Sequence, residues 1–231
     1  MKLQPGQDYI ITEDLSLCNA REVANPNLPV LGGFHTLCAD VEIPGHPLRG
    51  YRAGGPMPSS LWNLNHRAKC GNNAGMVYDR KRDIWVDIYL YSEPDRTIIS
   101  KSLDDYEKIA TELGKRLPTH KEFSSLAKGS NEMTNIAGSK RYPQTGGHKD
   151  TKGRRMISNI GCEDCAGLVW QWLQTKDPDD ETLQLLAGGY WSYAAVAGSR
   201  CRHASSSRWR ADTHIGARFV SEPLYPKSKA Q

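Results

Sequence analysis

One stretch near the C-terminus constrains this chain more than any other: Ala187 to Glu222, AGGYWSYAAVAGSRCRHASSSRWRADTHIGARFVSE. A frame of Gly188, Gly189, Trp191, Gly198, Ser199, Arg200, Arg208, Trp209, Gly216, Arg218 and Phe219 punctuates it. Between those points stand Tyr190, Ser192, Tyr193, Ala194, Val196, His203, Ser205, Ser206, Ser207, Arg210, Asp212 and His214, which share no chemistry. Neither a helical period nor strand alternation runs through the segment. Strong punctuation around arbitrary filling suits a rigid scaffold that presents a chosen surface. An ordinary Gly- and Ser-rich loop region is the competing reading of the same composition.

The filling has a second property. Each of its residue types has a codon ending in a pyrimidine. No Lys, Glu, Gln or Met occurs from Ala187 to Ser221, although Lys and Glu are frequent elsewhere. Tyr and Ser also dominate binding loops, because Tyr offers large amphipathic contact at low entropic cost and Ser adaptable hydrogen bonding.

At 231 residues the chain suits one large domain, or one domain with an extra arm. Its Gly and Pro content favours a loop-rich fold over a helical bundle. The net charge of +4 is mild, and Lys140, Arg141, Lys149, Lys152, Arg154 and Arg155 supply part of it from one polar stretch. That pattern lacks the dense basic surface with interleaved aromatics of a nucleic-acid binder. No run is long enough for membrane insertion. The start, with Gln4, Pro5, Gly6, Gln7 and Asp8 close behind Met1, has no apolar signal core, so the expectation is synthesis in a cytoplasm. Of six cysteines, Cys162 and Cys165 form a lone C-x-x-C pair. They are weak zinc candidates that need two further ligands, against the alternative of buried free thiols.

In chain order, residues 1–29 read as an arm or short β element around Tyr9-Ile10-Ile11-Thr12. Val30 to His35 reads as a strand broken by Gly32-Gly33, and residues 43–60 as an extended Pro- and Gly-rich loop. Gly75 to Tyr78 and Ile84 to Leu90 make a hairpin around Arg80-Lys81-Arg82-Asp83, with Ile84, Val86, Ile88 and Leu90 on one face. Ser102 with Asp105, and Thr119 with Glu122, are capping boxes opening two helices that end at Gly114 and Gly129. Tyr106, Ile109, Ala110 and Leu113 line the first helix; Phe123, Leu126 and Ala127 line the second. Both are expected on one face of a sheet. Residues 130–156 read as a mobile surface insertion, Leu168 to Leu173 as an apolar strand, and 226–231 as a disordered tail.

These motifs resemble a known superfamily. Gly114-Lys115-Arg116-Leu117-Pro118-Thr119 with Glu122-Phe123, Val169-Trp170-Gln171-Trp172, Gly188-Gly189-Tyr190-Trp191 and Gly216-Ala217-Arg218-Phe219 are similar to signatures of the formylglycine-generating-enzyme type of C-type lectin fold. Within it the chain resembles the phage major tropism determinants, variable proteins of diversity-generating retroelements, from about Val30 to Leu224. The resemblance implies an α+β, C-type lectin domain over 30–225, with two helices packed on antiparallel sheets, long loops and a variable region at 187–222. In such proteins adenines of a template are copied with errors, so that AAY codons become other NNY codons and never stops. The variable, ligand-binding positions are then Tyr190, Ser192, Tyr193, Ala194, Val196, His203, Ser205, Ser206, Arg210, Asp212 and His214, with Ser207 added on codon grounds. The implied partners are a host-cell surface receptor, protein or glycan, other virion tail proteins, and two further copies in a homotrimer. The implied place is a phage tail fibre or, alternatively, a bacterial surface. No cofactor is implied.

Catalytic members of the superfamily oxidise a substrate cysteine with two cysteines spaced C-x-x-x-x-C. Here Gly198 and His203 stand in those places with Cys201 between, and one thiol does not make a two-thiolate copper site. Ser205 to Ser207 lack a His–Asp partner order for a hydrolase triad. Calcium-dependent sugar-binding signals are absent beyond the short Glu222-Pro223-Leu224. Arg200, Arg208 and Arg218 read as frame, hydrogen-bonding carbonyls or carboxylates; Trp170, Trp172, Trp191 and Trp209 read as core and frame.

Overall fold

The computed structural model describes residues 2–23, 29–93, 96–138 and 146–227, with the backbone alone at Ser205. The N-terminal element is a sheet of order β2-β1-β3-β4, formed by β1 (Asp8–Thr12), β2 (Leu17–Asn19), β3 (Val30–His35) and β4 (Trp62–Asn63). Tyr9 is buried and stacks on Phe34 with ring centroids 5.7 Å apart, which joins β1 to β3. Gly32-Gly33 does not break β3. A Cβ at Gly33 would stand 2.5 Å from the Tyr9 carbonyl oxygen, and one at Gly32 2.5 Å from that of Trp62. The glycines let strands approach on both sides.

Next come the hairpin strands β5 (Met76–Asp79) and β6 (Ile84–Asp87) and a small ribbon of β7 (Ser92–Glu93) and β8 (Arg96–Thr97). The hairpin turn places Asp83 at φ 56, and Asp79 Oδ1 accepts the Lys81 backbone N–H at 2.9 Å. Both hairpin faces are covered. Val77, Ile84, Val86 and Ile88 enter the main core, while Met76, Tyr78 and Trp85 pack with Ala68 on the other side.

The helices α1 (Leu103–Glu112) and α2 (His120–Leu126) open on complete capping boxes. Arg116 explains the sequence between them: its guanidinium donates to both Glu122 oxygens, at 2.8 and 2.7 Å, and to Glu222 Oε1 at 2.6 Å. A charged fork thereby ties the helix start to the C-terminal segment. Leu113, expected in the core, is 45 % exposed, because it follows the last turn of α1 as its C-cap.

The third sheet has order β11-β10-β9-β12, from β9 (Trp170–Lys176), β10 (Leu183–Gly188), β11 (Gly198–Ser207) and β12 (Ile215–Gly216); β13 (Val220–Ser221) pairs with β6. The helices lie on opposite faces of this sheet, not on one. Trp170, Trp172 and Leu186 pack with Leu103, Tyr106 and Ala110 of α1; Leu173, Leu185 and Ala187 pack with Phe123 and Leu126 of α2. Side chains alternate along strands, so a sheet carrying apolar residues at successive positions must be covered twice.

Residues 130–156 are not a solvated insertion where described. Asn131, Thr134, Asn135, Ile136, Asp150, Arg155 and Met156 are buried. Asp150 accepts the Arg154 and Lys152 backbone N–H groups and the Asn131 side chain, all within 2.9 Å. Lys140 and Arg141 lie outside the described residues, as does the tail beyond Lys227. Among the described residues no helix is long and apolar enough to cross a membrane.

Candidate ligand-binding surface

The surface begins where β10 ends. Gly188 and Gly189 have φ of 93° and 76° and turn the chain out of the sheet. A Cβ on Gly188 would meet the Cys165 carbonyl oxygen at 2.7 Å, and one on Gly189 the Ala197 Cα at 2.8 Å. The exit and return of the loop are thus pressed together. Between them a single 3-10 turn, Ala194–Val196, crowns the loop.

Trp170 is the floor. It is 2 % exposed, and its backbone N–H donates to the His214 carbonyl at 2.8 Å. His203 stacks on it with centroids 5.5 Å apart, and Tyr193 meets its edge at 5.2 Å. Tyr190 lies 5.0 Å from Tyr193 and stacks on His214 at 4.5 Å. Four positions without sequence pattern therefore form one aromatic cluster on a fixed indole. Asp212 closes one side, accepting from Arg210 at 3.2 Å and meeting His214 Nδ1 at 2.8 Å. Burial, then the charges of Arg210 and His214, hold His203 below the ordinary imidazole range. Burial also depresses His214, against the pull of Asp212. Both shifts favour the neutral form of the rings.

Ser192, Ala194 and Val196 are exposed; Tyr190, Tyr193, His203, Ser207, Arg210, Asp212 and His214 are half-buried. Ser206 departs from the expected surface set: it is fully buried, opposite Gln184 in the β10–β11 register, on the inward side of the strand. The side chain of Ser205 lies outside the described residues. Trp209, expected in the core, is 77 % exposed. It sits in the turn after β11, where Arg210 N–H bonds to the Ser207 carbonyl.

The arginine frame divides. Arg218 is fully buried and donates to Gln171 Oε1 at 3.2 Å and to the carbonyls of Asp87, Ile88 and Glu163. Arg208 grips Asp104 and Glu107 of α1. Arg200 is exposed. The sequence reading missed the braces. Glu132 bridges to Gly198 and accepts the Ser199 hydroxyl; Met133 N–H donates to the Ala197 carbonyl at 2.8 Å; Asn135 donates to the Trp191 carbonyl. Arg202 holds β11 from behind, donating to Ser124 Oγ at 2.8 Å and lying 4.9 Å from the Phe123 ring. The one sequence hint was apolar Met133, Ile136 and Met156 within a polar stretch.

Cys162 and Cys165 are fully buried beneath the Gly188 turn, and burial pushes the Cys162 thiol up. Among the described residues no three His, Cys, Asp or Glu side chains gather as metal ligands. Cys201 is half-buried, and burial raises its thiol as well.

No family model and no curated protein sequence matches the chain. Solved structures do. The Major Tropism Determinant M1 variant is similar at TM-score 0.75 and 21 % identity, covering 97 % of this chain and 74 % of that one. The I1 variant gives 0.75 at 20 %, covering 96 % and 73 %, and the P3c variant 0.74 at 22 % with the same coverage. Such superposition at low identity fixes the architecture: this chain has the mixed α+β, C-type lectin-like fold of the major tropism determinants.

Proposed function

We propose that the chain is a receptor-binding protein of a phage tail fibre, and that the face carrying residues 190–214 is its diversified ligand-binding surface. One observation carries the reading. Residues with no common chemistry, all encodable by NNY codons, gather over Trp170, with Tyr193 and His203 on its ring and Tyr190 and His214 stacked beside them, while Gly188, Gly189, Gly198, Gly216 and Arg218 beneath are buried and Arg208 is ion-paired to α1. Substitutions on a braced loop cost little stability, so the surface can change while the fold persists. Tyr190 and Tyr193 are the anchors; Val196, His203, Arg210, Asp212 and His214 set shape and charge. The fold shared with tropism determinants supports the same role. The ligand is a protein or glycan of a bacterial surface. Homotrimers displayed in many copies, beside other tail proteins, would convert weak single contacts into avidity. A glycine at position 198 favours binding over thiol oxidation.

Two measurements test this. The DNA around the gene should hold a near-copy of codons 187–222 beside a reverse-transcriptase gene, with AAY at the codons for Tyr190, Ser192, His203, Arg210, Asp212 and His214. Fluorescently labelled protein should bind cells of the bacterial host, and Tyr190→Ala with Tyr193→Ala should reduce that binding at least about tenfold, as for interface anchors. Undiminished binding by the double variant would move the ligand site elsewhere.

A further inference from the structure

A pocket of about 500 Å³ opens between residues 58–61, the β5–β6 turn and the end of α2. None of its lining residues belongs to the 190–214 surface. Leu61, 53 % exposed, and Ile160, half-buried, give it an apolar wall. Tyr78 and His66 give it an aromatic one, packed edge to face with ring centroids 4.2 Å apart. The Tyr78 ring is further fixed by its hydroxyl, which donates to Asp83, and by Trp85, whose ring centroid lies 5.5 Å away. Apolar walls around a few placed polar groups are the usual make-up of a small-ligand site.

The polar groups are of two kinds. Asp79 lines the pocket and is 3 % exposed. Its Oδ1 accepts the backbone N–H groups of Lys81 at 2.9 Å and Arg82 at 3.4 Å, whereas its Oδ2 is buried with no partner among the described residues. A buried oxygen without a donor is costly, and a donor brought by a ligand removes the cost. Arg80, Lys81 and Lys128 line the pocket as well and are exposed; among the described residues none of the three is ion-paired. Asp83, the other carboxyl of the turn, is committed to the Tyr78 hydroxyl and to the Lys227 backbone N–H at 2.8 Å. The pocket thus joins one unfilled acceptor to three unpaired cations.

We propose that this pocket binds an acidic sugar: one hydroxyl donates to Asp79 Oδ2, the carboxylate or phosphate lies among Arg80, Lys81 and Lys128, and the C–H face of the ring covers Leu61 and Ile160. The two kinds of polar group select this occupant. An ammonium ligand would satisfy Asp79 but be repelled by three cations. A bare inorganic anion would satisfy the cations and leave Asp79 unfilled. A neutral hydroxyl and an anionic group on one ring meet both demands, and the anion gains charge-assisted hydrogen bonds. Every residue used lies outside 187–222, so the site stands whether or not the 190–214 face binds a receptor.

Isothermal titration calorimetry of the full chain tests it, with D-glucuronate, D-galacturonate, the corresponding hexose phosphates, the neutral hexoses and inorganic phosphate as probes. At least one acidic sugar should bind about tenfold or more tightly than its neutral hexose and than inorganic phosphate; uronate against hexose phosphate then identifies the anionic group. Asp79→Asn keeps an oxygen for the Lys81 N–H and puts a donor where the unpaired oxygen stood. It should weaken the acidic sugar about tenfold or more and leave inorganic phosphate unchanged. Lys128→Glu, at an exposed position, should weaken acidic sugar and phosphate alike, and it decides the matter if Asp79→Asn does not fold. Tyr190→Ala with Tyr193→Ala should bind the sugar as the wild-type chain does. Acidic sugars no tighter than neutral hexoses and phosphate, sugar binding indifferent to Asp79→Asn or to Lys128→Glu, or binding lost with the tyrosine pair would each overturn the proposal.

Discussion

Gly189→Ala, measured against Gly45→Ala, isolates what holds the base of the loop. The two glycines have nearly the same positive φ, 76° and 73°. Their surroundings differ. A Cβ on Gly45 meets nothing within 4 Å, whereas one on Gly189 stands 2.8 Å from Ala197 Cα and 2.9 Å from its Cβ. Ala197 cannot easily retreat, being buried and bonded through its carbonyl to Met133 N–H. Alanine in the left-handed region costs about 1–2 kcal/mol, offset by about 0.4–1 kcal/mol through the stiffer unfolded chain. Gly45→Ala should therefore cost about 1 kcal/mol. Gly189→Ala adds an overpacking cost of about 1–3 kcal/mol, for a total near 2–4 kcal/mol. Urea unfolding at constant m-value reads the difference as a lower midpoint. If the two variants unfold within about 0.5 kcal/mol of each other, close approach at Gly189 is not what fixes the loop.

Ser206→Tyr should destabilise by about 3 kcal/mol or prevent folding, because the position is fully buried, while Ser192→Tyr should stay within about 0.5 kcal/mol; chemical denaturation compares them. Arg218→Lys should cost about 2–4 kcal/mol in the same assay, since one ammonium cannot reach acceptors on Gln171, Asp87, Ile88 and Glu163 together. Burial depresses His46, His66, His120, His203 and His214 in the folded state, so the unfolded chain takes up protons first and stability falls as pH drops through about 6.5 and below. His148 works oppositely, raised by Asp164 at 2.7 Å despite burial, so the net expectation is a lower Tm at about pH 5 than at about pH 7. A Tm at about pH 5 equal to or above that at about pH 7, read by scanning fluorimetry, would contradict the sign.

The helices were legible because their instructions are local. Ser102 with Asp105 and Thr119 with Glu122 specify caps within four residues, and both boxes form. The hairpin at 76–87 was legible from alternation bracketing a charged turn. The third sheet was less so: β11 carries Gly198–Ser207 with no apolar alternation, and its strand state comes from pairing with β10. The bracing segment at 130–138 was illegible for the same kind of reason. Asn131, Asn135 and Glu132 are polar residues whose side chains bond to partners distant in sequence, and composition cannot distinguish that from solvation. Ser206 and Trp209 exchanged their expected places because inside and outside near a strand end depend on register, which the flanking Ser and Arg residues do not encode.

The stack of Tyr190 on His214, Tyr190 against Tyr193, and Tyr193 and His203 on Trp170 has a further consequence. Side chains in mutual contact do not contribute additively, so replacing one changes what its neighbours can do. If this face is diversified as proposed, exchanges at exposed Val196 and Ser192 act singly, whereas exchanges at the stacked Tyr190 and His214 are coupled. The sequences open to this face are then packed combinations, fewer than the product of choices at each position.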